Sequence, residues 1–386
     1  MHLKYVILEN IRNHKKTELH FEPGLNIFFG ANGSGKTSIL EAISIASFSK
    51  SFITNFDQQI VSHSRKYYSV EIGAVTENQI PFTINVIYQI NKGKEIRDSS
   101  GQILSSVELI GKIPLVVLYP EMKKIVFGPP SSRREFVDKI ISQIDRIYLQ
   151  KLIEYRRILK QRNKLLFEIY SGDHSQIGVL SVWNNRLIEA ASYILKQRWI
   201  FTKSFSTLFQ KSFEMVTNGK EISSFDFSPF GFDSVSHSVF LQNPERSQII
   251  SSLEQILEEY HRREIERGTT LFGPHKDDFE ITLNDMPAKE IASQGQSKSL
   301  VIALKYAEIK YLQNLLGTTP IVLFDDIFSE LDFNRVTQVL DMMNNLKVQL
   351  FLTLTELDKI KNIISNFETY GIFKVENGSV EKVNNI

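Results

Sequence analysis

The chain has 386 residues, 42 % hydrophobic and 23 % charged, a make-up that suits a globular protein of two domains or one domain with an insertion. It has no cysteine, which excludes disulfides and thiolate metal sites and suits a reducing compartment. A net charge of +1, from 45 basic and 44 acidic residues, excludes nucleic-acid binding driven by the overall field, so any DNA contact must come from a local basic face.

Three apolar runs open the chain, at residues 3–10 (LKYVILEN), 17–21 (TELHF) and 25–29 (LNIFF), and each reads as a strand. The third runs into Gly30-Ala31-Asn32-Gly33-Ser34-Gly35-Lys36-Thr37, which fits G-x-x-x-x-G-K-[ST] at every fixed position. An amphipathic helix carrying Ile39, Leu40 and Ile43 follows. Strand, glycine loop and helix in this order are what a triphosphate needs. Backbone N–H groups wrap the phosphates, Lys36 reaches the β and γ phosphates, and Thr37 offers its hydroxyl to Mg²⁺. A nucleoside triphosphate with Mg²⁺ is therefore the expected ligand pair.

Residues 67–75 (YYSVEIGAV) and 81–90 (PFTINVIYQI) alternate apolar and polar positions, and the short link between them predicts a hairpin. A further strand is expected at 114–119 (PLVVLY). From 132 to about 198 the period becomes helical, with one break at Ser171-Gly172-Asp173-His174. A Phe-rich stretch at 223–244 reads as loop with short strands, and a helix is expected over 247–267. From Gly268 the pattern returns to α/β, with strands at 278–285, 321–325 and 348–354 and helices at 295–316 and 335–346. The expected architecture is one α/β nucleotide lobe built from residues 1–120 and 268–386, with a mainly helical insertion at 121–267.

The segment PIVLFDDIFSELD supplies a second half of the site. A buried strand ending in Asp325-Asp326 places one carboxylate to hold Mg²⁺ through its water shell. The other can orient or deprotonate the attacking water. Alone, the pair could equally be an acidic turn after a core strand. Upstream, Ala292-Ser293-Gln294-Gly295-Gln296 heads a predicted helix, a small polar turn suited to an anion.

In order and spacing, the P-loop, the helical insertion, S-x-G-Q, the acid pair and Ser329-Glu330-Leu331-Asp332 resemble the ABC-type ATPases of the SMC branch. Three further segments narrow this: GPPSSRREFVDKI (128–140), YRRILKQRNKLL (155–166) and GPHKDDFEI (273–281). Together with the opening stretch, they make the chain similar to the RecF family of bacterial recombination mediators, over residues 1 to about 353. The resemblance implies an ABC/SMC-type P-loop ATPase head with N-terminal β-strands and a helical arm. It implies that the triphosphate is ATP, and an ATP-dependent homodimer in which Ser293, Gly295 and Gln296 of one copy contact the γ-phosphate held by the other. It also implies double-stranded and gapped DNA across the closed dimer. Work with RecO and RecR to load RecA, in repair, replication and the SOS response, comes from the resemblance alone.

The chain departs from the wider ATPase pattern in three places. Gln294 stands where many ABC ATPases have glycine, a change that RecF-like sequences share. Asp326 replaces the more common glutamate, and its shorter side chain predicts slow hydrolysis. No histidine follows Thr353. A lobe-linking glutamine is not assignable near residues 118–121.

Residues 151–164 (KLIEYRRILKQRNK) carry six Lys or Arg and one acid, Glu154. At about 100° per residue, Arg156, Lys160 and Lys164 share a helix face with Arg157 beside it. Such a stripe suits DNA phosphates, and equally a solvated face whose opposite side (Leu152, Tyr155, Ile158, Leu159, Leu165, Leu166) packs in a core. Arg133-Arg134 has two readings, DNA contact or a brace between insertion and nucleotide lobe. His275 with Asp277-Asp278 reads as a structural turn before a strand or as a fragment of a metal site.

No run approaches the ~20 apolar residues of a membrane helix, and Met1-His2-Leu3-Lys4 does not read as a secretion leader. A cytoplasmic location is expected. Rival readings are an ATPase that energises transport, a nuclease-associated ATPase and an SMC-like structural tether. The first lacks a membrane segment, the second a carboxylate nuclease domain, and the third a long coiled coil.

Overall fold

The computed structural model describes residues 1–383 apart from 174, 176, 233–242, 329–331 and 359. The chain divides into two units, Met1–Met122 with Glu308–Ile386, and Lys123–Ala307.

The first unit opens with β1 (His2–Ile11), β2 (His14–His20), β3 (Leu25–Phe29) and helix α1 (Lys36–Phe48). Strands β4 (Tyr67–Val75), β5 (Pro81–Gln89), β6 (Gly93–Asp98) and β7 (Leu115–Leu118) follow. An antiparallel sheet of order β2-β1-β4-β5-β6 uses the alternation seen in the sequence. Val6 and Leu8 of β1, Val70 and Ile72 of β4, and Ile84 and Val86 of β5 all turn to one buried face. Helix α1 sinks Ile39, Leu40, Ile43 and Ala46 into the same core, and each fully buried Ile or Leu side chain there contributes roughly 1.5–3 kcal/mol.

The second unit holds α2 (Pro130–Ile144), α3 (Arg146–Tyr170), α4 (Ile177–Thr217), β8 (Ser223–Ser228), α5 (Arg246–Arg267), β9 (Asp278–Leu283) and β10 (Met286–Pro287). Two breaks part the helical stretch. Asp145 caps α3 by accepting from the Tyr148 N–H at 2.9 Å, a boundary the helical period conceals. The second break is the predicted one after Tyr170, where His174 lies outside the described residues. Helix α4 runs on to Thr217, 41 residues in all and about 60 Å long. It does so because Phe201, Phe205, Phe209 and Phe213 recur at i, i+4, the first three against Phe225 of β8 and Phe213 against Phe209, with Phe205 and Phe225 centroids 5.1 Å apart.

Residues 268–307 mark a difference from the expected division. Strand β9 pairs with β8 and β10 in a three-stranded sheet of the second unit. The α/β period returns at Gly268, but cross-strand pairing keeps β9 with the insertion. Only within α6 (Gln294–Leu316) does the chain pass back to the first unit.

The remainder of the first unit is β11 (Ile321–Phe324), α7 (Phe333–Asn345), β12 (Leu350–Leu354), β13 (Tyr370–Glu376) and β14 (Ser379–Val383). They complete a second sheet of order β14-β13-β3-β12-β11-β7, parallel except for the β13–β14 hairpin. Strands β7, β11 and β12 are buried throughout, which explains their unbroken apolar runs. Among the described residues, no helix is long and apolar enough to cross a membrane.

Candidate nucleotide site

Parallel neighbours β3, β12 and β11 bring their C-terminal ends to one edge of the sheet. The loop 30–37 leaves β3, Asp325-Asp326 leave β11, and Thr353 sits between them on β12. Loop and acid pair, 288 residues apart in sequence, meet directly: the Thr37 hydroxyl donates to Asp325 Oδ1 at 2.8 Å. Gly30, Gly33 and Gly35 take φ of 152°, 78° and 114°, the turn that lets successive N–H groups converge on a phosphate. Ala31, Asn32 and Gly33 are exposed at the crest, while Ser34 and Lys36 are buried.

Lys36 Nζ donates to the carbonyls of Gly30 at 2.7 Å and Ala31 at 2.8 Å. Its burial pushes the ammonium pKa down, and the charges of Asp326 and Asp325 oppose that shift. Burial raises the Asp325 pKa, against the hydrogen bonds from Thr37 and Thr353 that favour its ionised form. Asp326 adopts φ of 49°, unusual for a residue other than glycine, and its N–H donates to Thr353 Oγ1 at 2.9 Å. The same Thr353 hydroxyl donates to Asp325 Oδ1 at 2.9 Å, so one side chain orients both acids. Sequence reasoning passed over Thr353, because a threonine ending a buried strand reads as a β-branched core residue.

The donor set fits a polyphosphate with a divalent cation. It presents a glycine nest, a buried ammonium, a hydroxyl beside a carboxylate, and the buried Ser34 Oγ, which finds no partner among the described residues.

Ser293 and Gln296 lie in the second unit, where they form a reciprocal cap at the start of α6. Ser293 Oγ accepts from the Gln296 N–H at 3.2 Å, and Gln296 Oε1 accepts from the Ser293 N–H at 2.7 Å. Gln296 Nε2 also donates to Glu221 Oε1 at 2.5 Å. Ser293 and Gln294 are exposed and Gly295 is half-buried. Of the Ser329–Asp332 motif, Ser329, Glu330 and Leu331 lie outside the described residues. Asp332 caps α7, its Oδ1 accepting from the Arg335 N–H at 3.0 Å.

On α3, Arg156, Arg157, Lys160 and Lys164 are all exposed, opposite buried Leu152, Tyr155, Ile158, Leu165 and Leu166. Arg162, from the same basic run, is fully buried. It donates to Asn184 Oδ1 at 2.8 Å, Thr270 Oγ1 at 2.7 Å and Glu264 Oε2 at 2.5 Å. Arg133 forks onto Asp278 at 2.7 and 2.8 Å, and Arg134 donates to the Asp277 carbonyl at 2.6 Å. Arg133 therefore ties α2 to the first residue of β9 and Arg134 ties it to the residue before, inside one unit. His275 Nδ1 lies 2.6 Å from the Tyr155 hydroxyl, and burial lowers its pKa to about 4. Asp277 pairs with Arg198 at 2.8 Å. This is the structural-turn reading of GPHKDDF, and among the described residues no group of three His, Asp or Glu side chains could hold a metal.

The family model of the RecF/RecN/SMC N-terminal domain matches residues 2–381. The DNA replication and repair protein RecF of Staphylococcus epidermidis (strain ATCC 12228) is 33 % identical over 386 residues, spanning 99 % of this chain and 100 % of its own. Its counterpart in Ruminiclostridium cellulolyticum is 34 % identical over 381 residues, spanning 98 % and 99 %. A solved structure of the recombination mediator protein RecF with ATP matches with a TM-score of 0.88 at 29 % identity, over 99 % of this chain and 97 % of that one. The Smc head domain of Pyrococcus furiosus matches with a TM-score of 0.57 at 17 % identity, over 99 % and 96 %, a likeness of fold alone.

Proposed function

This chain belongs to the RecF family of ATPases, and we propose that it is an ATP-dependent, DNA-binding recombination mediator whose ATP-bound dimer clamps DNA at single-strand gaps. The observation that carries the nucleotide half is the 2.8 Å bond from Thr37 to Asp325, which joins the P-loop to the acid pair. Gly30 to Gly35 cradle the phosphates and Lys36 binds the β and γ phosphates. Thr37 and, through water, Asp325 would hold Mg²⁺, which when bound neutralises phosphate charge. Asp326 orients the attacking water as general base. Its short side chain, on a backbone at φ of 49°, supports slow turnover that times the dimer.

Ser293, Gly295 and Gln296 of one copy face the γ-phosphate held by the other, so ATP closes the dimer and hydrolysis opens it. A switch of this kind acts on DNA only if DNA binds the two states unequally. Exposed Arg156, Arg157, Lys160 and Lys164 bind the DNA phosphates. In the cytoplasm, the closed dimer marks gaps at which RecO and RecR load RecA.

Asp326→Asn protein tests the reading. With ATP it should accumulate as a dimer and bind labelled gapped duplex at least about tenfold more tightly than with ADP, with affinity falling as salt rises. Adding Ser293→Arg should abolish both dimer and tight binding while ATP still binds. Equal DNA binding in ATP and ADP would remove the switch from this proposal.

A further inference from the structure

Three successive carbonyls of the P-loop are held from outside the loop. Asn13 Nδ2 donates to Ser34 O at 2.9 Å and to Gly33 O at 3.3 Å. The Gly378 N–H also donates to Ser34 O, at 2.9 Å. His14 Nε2 lies 3.0 Å from Gly35 O. A carbonyl only accepts, so Nε2 carries the hydrogen, and Nδ1 lies 2.9 Å from Thr17 Oγ1. Burial lowers the His14 pKa, in keeping with this neutral tautomer.

The partners are themselves anchored. Arg12, next to Asn13, forks onto Glu41 of α1 with two bonds of 2.9 Å and donates to Gln59 O at 2.8 Å. Gly378 belongs to the two-residue turn Asn377–Gly378 between β13 and β14, with φ of 48° and 78°. The fit leaves no room for side chains. A Cβ on Gly378 would stand 2.2 Å from the Asn13 carbonyl oxygen. One on Gly35 would stand 2.6 Å from His14 Nε2 and 2.7 Å from Asn13 Oδ1. Glycine at position 35 is thus required by Asn13 and His14 as well as by the loop's own turn.

In a planar trans peptide, the carbonyl of one residue and the N–H of the next point in opposite directions. Turning the carbonyls of Ser34 and Gly35 outward therefore turns the N–H groups of Gly35 and Lys36 inward, while the Ser34 N–H closes the loop on the Ala31 carbonyl at 3.2 Å. We propose that Asn13, His14 and Gly378 are positioning residues, a brace from the β1–β2 turn and the C-terminal hairpin that builds the phosphate nest before nucleotide arrives. A nest ordered in advance spares the ordering entropy that binding would otherwise have to offset. The inference rests on the reading of residues 30–37 as the nucleotide site.

Asn13→Asp tests it by keeping the side chain's shape while turning an acceptor toward two carbonyls. The Kd for ATP should rise about tenfold, and that for ADP in parallel, because both depend on the same N–H groups. Amide hydrogen exchange at residues 34–36 of the nucleotide-free protein should speed up, while its thermal midpoint stays close to the parent's. Gly378→Ala, 341 positions beyond the loop's last residue by the numbering, should weaken ATP in the same way. His14→Gln, which keeps a donor, should bind ATP better than His14→Leu. Lys36→Ala runs alongside. If Lys36→Ala loses ATP while Asn13→Asp and Gly378→Ala keep parental affinity and exchange, the brace is wrong and the site stands. If Lys36→Ala binds ATP normally, the site reading fails and takes the brace with it.

Discussion

The two units use charge in opposite ways. In the first, Lys36 and Asp325 are gathered at strand ends, where the P-loop and the acid pair meet. In the second, charge goes to the interior as cross-links. Arg198 reaches Asp138 at 2.9 Å, Asp277 at 2.8 Å and the Pro274 carbonyl at 2.6 Å, and Arg162 reaches Glu264, all within buried surroundings. Buried charges of the second kind hold helices and the β8–β9 sheet in register, and they are tolerated only because nearly every donor is satisfied. A charge in the sequence therefore says nothing of its role until its surroundings are known.

The sharpest way to break this comparison is at Arg198. Arg198→Met leaves Asp138 and Asp277 buried without their guanidinium, and stability should fall by about 3–5 kcal/mol, read as a lowered urea midpoint. Replacing both acids with leucine in the same chain should restore much of the loss, since an apolar trio of similar volume carries no desolvation penalty. An unchanged midpoint in Arg198→Met would mean that the network is not what holds the second unit.

The counterpart in the first unit is Thr353→Val, which keeps the volume and removes the hydroxyl. Asp325 Oδ1 loses one donor and the Asp326 N–H loses its acceptor, at a stability loss of about 1–3 kcal/mol. Here the functional loss should exceed the structural one. Both acids lose their orientation, so ATP turnover should fall by more than tenfold while ATP binding through residues 30–36 changes little. Turnover at the parental rate would show that the acids hold their places without Thr353.

How much of this was legible in the sequence follows from the same contrast. The P-loop and the acid pair are local patterns with fixed spacing, and the strands at 25–29 and 67–75 end where the alternation and the glycines end them. Strands β13 and β14 were missed, although YGIFKVENGSVEKV carries Asn-Gly between two alternating runs, the strongest short-range hairpin signal there is. The same hairpin carries Gly378, whose bond to the Ser34 carbonyl no pattern within the P-loop reveals. Residues 268–307 fall with the insertion, against the expected division, because period reveals that a strand forms and not which sheet it joins. Helical period puts Arg162 on the face of Ile158, Leu165 and Leu166 and Arg156 on the other, but it does not show that an arginine can be buried there. What makes that burial tolerable comes from Glu264, Asn184 and Thr270, far away in the chain, which take up its guanidinium.

That pair of arginines supports the finest test. Changing Arg156, Arg157, Lys160 and Lys164 to glutamine removes exposed charges. Their ion pairs are long, 3.8 Å from Arg156 to Asp138 and 3.7 Å from Lys164 to Glu168, so each change should move stability by no more than about 0.5 kcal/mol. If the stripe meets DNA, the dependence of log Kd on log salt should become shallower by about 0.9 for each phosphate that is no longer neutralised. Arg162→Gln, on the same helix, should do the reverse: it strands Glu264 in the interior and lowers stability, yet leaves the salt slope of the folded protein as it was. A stripe variant with the parental slope would make residues 156–164 a solvated face and nothing more. The two variants together separate a charge that holds the fold from a charge that meets a partner, within nine residues of one helix.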